Sequence, residues 1–269
     1  MNQLIARLTI LSLGLVAVSH SAHASDILRV TPLTDRILMV HFDDGYIRHN
    51  GYHEDNSESI AYESGLDVAA ATTPVSYLLT STGDPNYTTG VHPGQIGRKS
   101  KPTGIDPVCA GWGDEKCHNN YILEHWIYLV FPDPLREGET YTLQTGSLAE
   151  NRDSVTFTVD WTALRSEAVH VNQVGYIPGA DKYGYVSHWM GDLGGLDLSG
   201  YNGTRFDVMD RGSGTSVYNG TLQFRKSATN TDTRQGDKDT PDGNFAAAEV
   251  YQCDFSDVTT PGSYYLVVE

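Results

Sequence analysis

Carboxylates are the most numerous side chains that could do chemistry. The 269-residue chain holds 34 Asp and Glu against 18 Lys and Arg. Adjacent acidic pairs stand at Asp43-Asp44, Glu54-Asp55 and Asp114-Glu115. Two carboxyl groups about 6.5–9.5 Å apart can hydrolyse a glycosidic bond with inversion, because one protonates the leaving oxygen while the other activates water. These pairs lie in predicted turns, where solvated carboxylates are common, so the sequence assigns no catalytic residue.

A second acidic set is a candidate cation site. Asp237, Asp239 and Asp242 precede Gly243 and Asn244, and oxygen atoms around a glycine turn are the hard ligands that Ca²⁺ requires. The spacing departs from the regular D-x-D-x-D-G calcium loop, and no Glu follows at the expected offset. The sequence therefore favours a solvated loop and keeps calcium as the one candidate cofactor.

The three cysteines suggest one disulfide. Cys109 and Cys117 bracket a short loop and can pair. A metal site with His118 is the alternative, but the spacing matches no zinc pattern. Cys253 stands on an alternating strand, so we expect it to be a small buried hydrophobe.

Aromatic side chains could hold a polysaccharide, because the apolar faces of a sugar ring pack on aromatic rings. Trp112, inside the Cys109–Cys117 loop and flanked by two glycines, is the candidate for this contact. The other tryptophans are assigned to the core or to anchoring loops: Trp126, Trp161 and Trp189. No serine-hydrolase nucleophile elbow, phosphate loop or dinucleotide fingerprint occurs.

The charge and the first residues bear on partners and compartment. A net charge of -16 excludes nucleic acid and anionic membranes as expected partners, since like charges repel, and leaves neutral sugars open. Residues 1–24 are typical of a signal peptide: Arg7 precedes the apolar run 8–18, and Ala22-His23-Ala24 is a small-x-small cleavage site. A membrane anchor is the alternative, but the run is shorter than the roughly 20 residues that span a bilayer. We expect a secreted or periplasmic protein.

Alternating strands separated by turns predict an all-β fold of two tandem immunoglobulin-like β-sandwich modules, at residues 25–160 and 167–269. Strands are predicted at 154–159, 168–177 and 216–224 among others. Polar stretches at 46–73 and 83–118 are predicted to be long loops. Each module ends with a glycine turn before a tyrosine, Tyr141 or Tyr264, which can bond back across the corner of the sandwich. The connector 161–167 lacks Gly and Pro, which predicts a fixed arrangement of the modules.

Four patches in the second module resemble the N-terminal immunoglobulin-like domain of family 9 glycoside hydrolases. They are V-H-V-N-Q-V-G-Y-I-P-G at 169–179, F-D-V-M-D at 206–210 with V-Y-N-G at 217–220, C-D-F-S-D-V at 253–258, and P-G-S-Y-Y-L-V-V at 261–268. The resemblance covers residues 167–269 and does not extend to the first module.

This resemblance implies a catalytic (α/α)6 barrel that follows the sandwich and hydrolyses β-1,4-glucans with inversion. The barrel's general base lies in a D-A-G-D motif, which these 269 residues lack, so no catalytic residue carries over. We expect a non-catalytic N-terminal region of a secreted cellulase-type enzyme, inactive alone, whose reading frame continues into the barrel that it braces in cis. The alternatives are a free-standing carbohydrate-binding protein, which insoluble cellulose would retain, and an adhesion module for a protein partner.

Overall fold

The computed structural model describes residues 25–49, 59–108, 118–231 and 246–269. Several predictions of the sequence lie outside these residues and stay predictions. They are the signal peptide 1–24, the Cys109–Cys117 disulfide, the sugar contact at Trp112, the calcium ligands Asp237, Asp239 and Asp242, and the acidic pairs Glu54-Asp55 and Asp114-Glu115.

The prediction of an all-β protein built from immunoglobulin-like modules is confirmed. The described residues contain sixteen strands and one short α-helix. The first module holds β1 (Asp26–Pro32), β2 (Ile37–Asp43), β3 (Gly45–His49), β4 (Ser59–Glu63), α1 (Val68–Ala71), β5 (Leu78–Thr80), β6 (Gln95–Val108), β7 (His118–Val130), β8 (Thr140–Gln144) and β9 (Ser154–Thr158). The second holds β10 (Val169–His170), β11 (Tyr183–Val186), β12 (Arg205–Asp210), β13 (Ser216–Thr221), β14 (Gln223–Lys226), β15 (Val250–Asp254) and β16 (Tyr264–Val268).

In the first module a core lies between two antiparallel sheets, ordered β1-β2-β7-β6 and β5-β8-β9, and β3 and β4 form a separate hairpin. Strand β2 is apolar on both faces. Leu38, Val40 and Phe42 point into this core, while Met39 belongs to a second buried cluster. Period-two alternation places those two sets on opposite faces of the sheet, so the second face of the sheet must also be covered.

The second module packs the sheet β10-β11-β15-β14 against β13-β12-β16. Phe206, Val208 and Tyr251 are buried in its core. Cys253 lies there too, with no exposed surface, as the alternation of its strand predicts. Burial raises the pKa of its thiol to about 12, which leaves it protonated and unreactive at neutral pH.

Both predicted tyrosine corners form. The hydroxyl of Tyr141 accepts a hydrogen bond from the backbone N–H of Arg136 at 2.9 Å and donates to the buried carboxylate of Asp84 at 2.6 Å. The hydroxyl of Tyr264 donates to the carbonyl oxygen of Thr260 at 2.9 Å. Each bond ties the final strands of a module to the turn before them.

Several local predictions were wrong. The stretch 46–73, expected to be a loop, contains β4, α1 and most of β3. The stretch 83–118, also expected to be a loop, contains the 14-residue strand β6. The predicted strand 168–177 stops at His170 and continues as a loop. The predicted strand 216–224 is two strands in different sheets, because Leu222 enters the core between them and its N–H donates to Thr204.

Candidate docking surface

The two modules meet through an apolar surface. Leu33, Ile37, Met39 and Tyr128, on the outer face of the β1-β2-β7-β6 sheet, belong to one buried cluster with the core of the second module. That cluster includes these side chains of the second module: Ala168, Val186, Met190, Leu196 and Leu198. Burial of apolar area stabilises such a contact by about 25 cal/mol per Å², so the modules are expected to behave as one unit.

One polar pair lies inside this contact. The hydroxyl of Tyr128 and Nε2 of His188 are 2.9 Å apart, and the two rings meet edge to face at 5.4 Å between centroids. Burial, reinforced by the positive charge of Lys99 and by His170, lowers the pKa of His188 to about 4. The imidazole is therefore neutral at pH 7, and its Nε2 shares a hydrogen bond with the tyrosine hydroxyl.

A 3-10 turn, Gly191–Leu193, fixes the orientation of the modules. Gly191 adopts φ +68°, and a Cβ there would lie 1.9 Å from the carbonyl oxygen of Arg98 on β6, so only glycine fits. Next to it, Asp192 Oδ1 accepts the N–H of Arg98 at 2.5 Å. Across the connector, Arg29 and Glu167 form an ion pair. The fixed arrangement predicted from the connector agrees with these contacts.

An exposed apolar loop projects from the second module between β10 and β11. In residues 171–178, which we call the 171–178 loop, Val174 is 97% exposed, Ile177 is 74% exposed and Val171 is 49% exposed. Single exposed apolar residues are common on protein surfaces. Three within seven residues of one loop make this loop a candidate contact site, since exposed apolar patches mark such sites.

Hydrogen bonds from Lys182 and Tyr176 fix the conformation of the 171–178 loop. Lys182 is 4% exposed, and its ammonium donates to the carbonyls of Pro178 (2.7 Å), Ala180 (2.8 Å) and Ser256 (3.1 Å). The hydroxyl of Tyr176 accepts from the N–H of Asn172 at 2.9 Å and donates to the carbonyl of Tyr183 at 2.6 Å. The loop thus presents its apolar side chains in a preformed shape, which lowers the entropic cost of binding.

The candidates from the sequence that the structure describes do not gather into a glycosidase site. Asp44 was predicted to be solvated, yet it is 5% exposed and accepts the N–H of Leu66 at 2.9 Å. Trp126 is half-buried, stacked on His41 at 4.5 Å between ring centroids, with the Lys99 ammonium 5.0 Å from its ring centre. Its ring is therefore already engaged within the protein.

Within the described ranges, no three His, Cys, Asp or Glu side chains group as ligands for a metal ion. In the same part of the chain, no helix is both long and apolar enough to cross a bilayer. The predicted calcium ligands fall outside these residues.

Comparison with known families assigns the second module. The family model described as the cellulase N-terminal ig-like domain matches residues 165–269. The second module is a cellulase N-terminal Ig-like domain. Such a domain indicates the N-terminal region of a cellulase-type glycoside hydrolase. No curated protein and no solved structure gives a significant match to the chain.

The motifs that carry the resemblance fall on distinct parts of this cellulase Ig-like domain. The V-N-Q-V-G-Y-I-P patch forms the exposed 171–178 loop, F-D-V-M-D forms β12, and the final Y-Y-L-V-V forms β16. The first two residues of C-D-F-S-D-V end β15, and the hydroxyl of Ser256 accepts the N–H of Lys182 at 3.0 Å. The motif thus supports the loop that the first patch forms.

Three residues of these contacts carry no local sequence signal, namely Lys182, His188 and Tyr128. A lysine between glycine-rich and aromatic segments gives no local signal of burial, because its three acceptors include one 74 residues away. His188 and Tyr128 are 60 residues apart and meet only when the modules dock.

Proposed function

We propose that this chain is the non-catalytic N-terminal region of a secreted family 9 glycoside hydrolase of the cellulase type. The cellulase Ig-like domain braces a catalytic (α/α)6 barrel that follows it in the parent protein. The match of residues 165–269 to the cellulase N-terminal domain carries this proposal. The finer assignment to family 9 is supported by the motif patches at 169–179, 206–220 and 253–268.

The 171–178 loop is the proposed site of contact with the barrel. Fully burying a Val or Ile side chain stabilises a complex by about 1.5–3 kcal/mol, and Val174 and Ile177 keep most of that surface in water here. The hydrogen bonds from the buried Lys182 ammonium to backbone carbonyls hold the loop in one conformation without a partner. A preformed apolar loop that is open to water fits a permanent partner in the same polypeptide.

The first module contributes rigidity to this brace. Its β1-β2-β7-β6 sheet forms one wall of the shared cluster with the cellulase Ig-like domain. Because the two modules share this cluster, both of them hold the 171–178 loop in position where it contacts the barrel. The net charge of -16 agrees with a neutral glucan as the enzyme's substrate and disfavours anionic polymers.

The double substitution Val174→Asp with Ile177→Asp tests the docking site. In the 269-residue chain it is expected to change the free energy of unfolding by no more than about 0.5 kcal/mol, because both side chains are exposed. In the protein extended through the barrel, it is expected to lower the barrel's melting temperature and its β-glucanase activity. Differential scanning calorimetry and reducing-sugar release measure the two effects.

Val75→Asp is the matched control, because Val75 is 73% exposed and belongs to the first module and not to the loop. It is expected to leave barrel stability and activity unchanged. Equal effects of the control and the double variant, or no effect of either on the barrel, would place the docking surface elsewhere.

A further inference from the structure

A second constellation, unrelated to the loop, joins three polar side chains of the first module. The Oγ atom of Ser100 lies 2.7 Å from Nδ1 of His125, and Nε2 of the same ring lies 3.0 Å from Oδ2 of Asp44. The register of the sheet produces this row, since Ser100 on β6 pairs directly with His125 on β7. Asp44 follows the last residue of β2, which pairs with β7 on its other side.

Burial gives each group of this row a defined role. His125 is 1% exposed and Asp44 is 5% exposed, whereas Ser100 is exposed at the surface. Asp44 also accepts the N–H of Leu66 through its other oxygen, which fixes the carboxylate. With Asp44 holding a proton on Nε2, the Nδ1 lone pair faces the serine hydroxyl and can take its proton.

A cation stands beside the serine. A terminal guanidinium nitrogen of Arg98 donates to Ser100 Oγ at 2.9 Å. This positive charge favours negative charge that develops on Oγ as it gives up its proton, or on the carbonyl oxygen of an acyl group bonded to Oγ. A nucleophile, a base within hydrogen-bond reach, a third group that orients the base, and a cationic donor at the nucleophile are thus within one cluster.

We propose that Ser100, His125 and Asp44 form an acyl-transfer site that cleaves esters of small acyl groups. Ser100 Oγ bonds to the ester carbonyl carbon while its proton passes to His125 Nδ1. The carbon–oxygen bond to the alcohol breaks, and the leaving alkoxide takes that proton. Water then attacks the acyl-serine and gives a proton to His125; the Ser100 ester bond breaks, Oγ regains the proton, and a carboxylic acid leaves.

The two ring nitrogens are exchanged relative to the familiar serine-protease arrangement, since here the carboxylate holds Nε2 and the serine faces Nδ1. Proton transfer from the serine needs one ring nitrogen whose proton is held by the carboxylate and one whose lone pair faces the serine hydroxyl. Nε2 and Nδ1 of His125 meet these two requirements. Because Ser100 lies at the surface, the substrate is an acyl group presented from solvent on a larger alcohol.

Labelling and hydrolysis with the full 269-residue chain test this proposal. A fluorophosphonate probe is expected to label Ser100, located by mass spectrometry of peptides. The chain is expected to hydrolyse p-nitrophenyl acetate, and Ser100→Ala is expected to lower that rate by about 100-fold or more. Ser147→Ala is the matched control at another exposed serine of the same module, and it should leave both readouts unchanged.

Two further variants separate chemistry from folding. Ser100→Cys keeps a nucleophile at the site and is expected to be acylated at that position, whereas Asp44→Asn is expected to slow acylation of a chain that still melts cooperatively. Absence of label on Ser100 in the folded chain would overturn the proposal. An ester hydrolysis rate that Ser100→Ala leaves unchanged would do the same.

Discussion

Replacing Met39 by alanine is expected to lower the free energy of unfolding by about 2–5 kcal/mol. Met39 has no exposed surface and stands on the face of β2 that the second module covers. Truncation leaves a cavity in the cluster that the two modules share, and the surrounding strands relax only in part. Because the contact is weakened, thermal unfolding is expected to separate into two transitions, whereas the unaltered chain is expected to unfold in one. Differential scanning calorimetry measures both effects.

Two controls belong with this variant. Met39→Leu conserves volume and is expected to cost less than about 1.5 kcal/mol, with a single transition retained. Leu28→Ala on the neighbouring strand β1 removes a side chain that is half exposed and is expected to cost much less than Met39→Ala. If Met39→Ala unfolds in one transition with little loss of stability, the apolar contact between the modules is not what couples them.

Acidification is expected to weaken the same contact through His188. Its pKa is about 4 in the folded chain against an ordinary value of 6.5, because the folded state holds the ring neutral. Between pH 6.5 and 4 the unfolded chain binds the proton more readily, so stability is complete above pH 6.5 and falls as the pH drops through this window. The loss reaches on the order of 3 kcal/mol and levels off below pH 4.

The His188→Gln variant isolates this contribution from that of the carboxylates. Glutamine can still bond to Tyr128 but does not titrate, so the difference in unfolding free energy between the two proteins is expected to depend on pH mainly between 6.5 and 4. The groups that act on His188 are Lys99 and His170, both of which lower its pKa, and Tyr128. Urea unfolding at half-unit pH steps measures the difference. A difference that stays constant with pH contradicts a neutral, buried His188.

The parts of the fold that sequence alone predicts are those with local signals. Alternation predicts β9 and the burial of Cys253 within β15. A glycine turn before a tyrosine predicts the corner bonds of Tyr141 and Tyr264. The V-N-Q-x-G-Y-x-P patch predicts the cellulase Ig-like domain that the family comparison finds. In each case the determining residues lie within about ten positions of one another.

Strand β6 was missed because it contains Pro102 and Pro107 together with glycines. Proline removes a backbone donor, and a central strand does not tolerate that loss. Strand β6 is an edge of the sheet β1-β2-β7-β6, so one of its two sides needs no partner and the missing N–H groups cost little. Edge position depends on the order of strands in the sheet, which no local pattern reveals.

For a related reason, local sequence patterns do not predict the cluster of Ser100, His125 and Asp44. Asp44 and His125 are 81 residues apart, and His125 and Ser100 are 25 apart. None of them lies in a nucleophile elbow, so motif searching does not find them. The register of three neighbouring strands brings them together, and a shift of one residue in either pairing would turn His125 away from its partners.

The central claim is that this chain is the N-terminal region of a cellulase-type enzyme. Sequencing the source transcript past codon 269 tests it most directly. We predict an open frame that continues into helical repeats and contains the D-A-G-D motif of the barrel. An in-frame stop codon immediately after Glu269 would contradict the claim, and glucan binding through Trp112, measured by retention on insoluble cellulose, would then become the leading explanation of the chain's function.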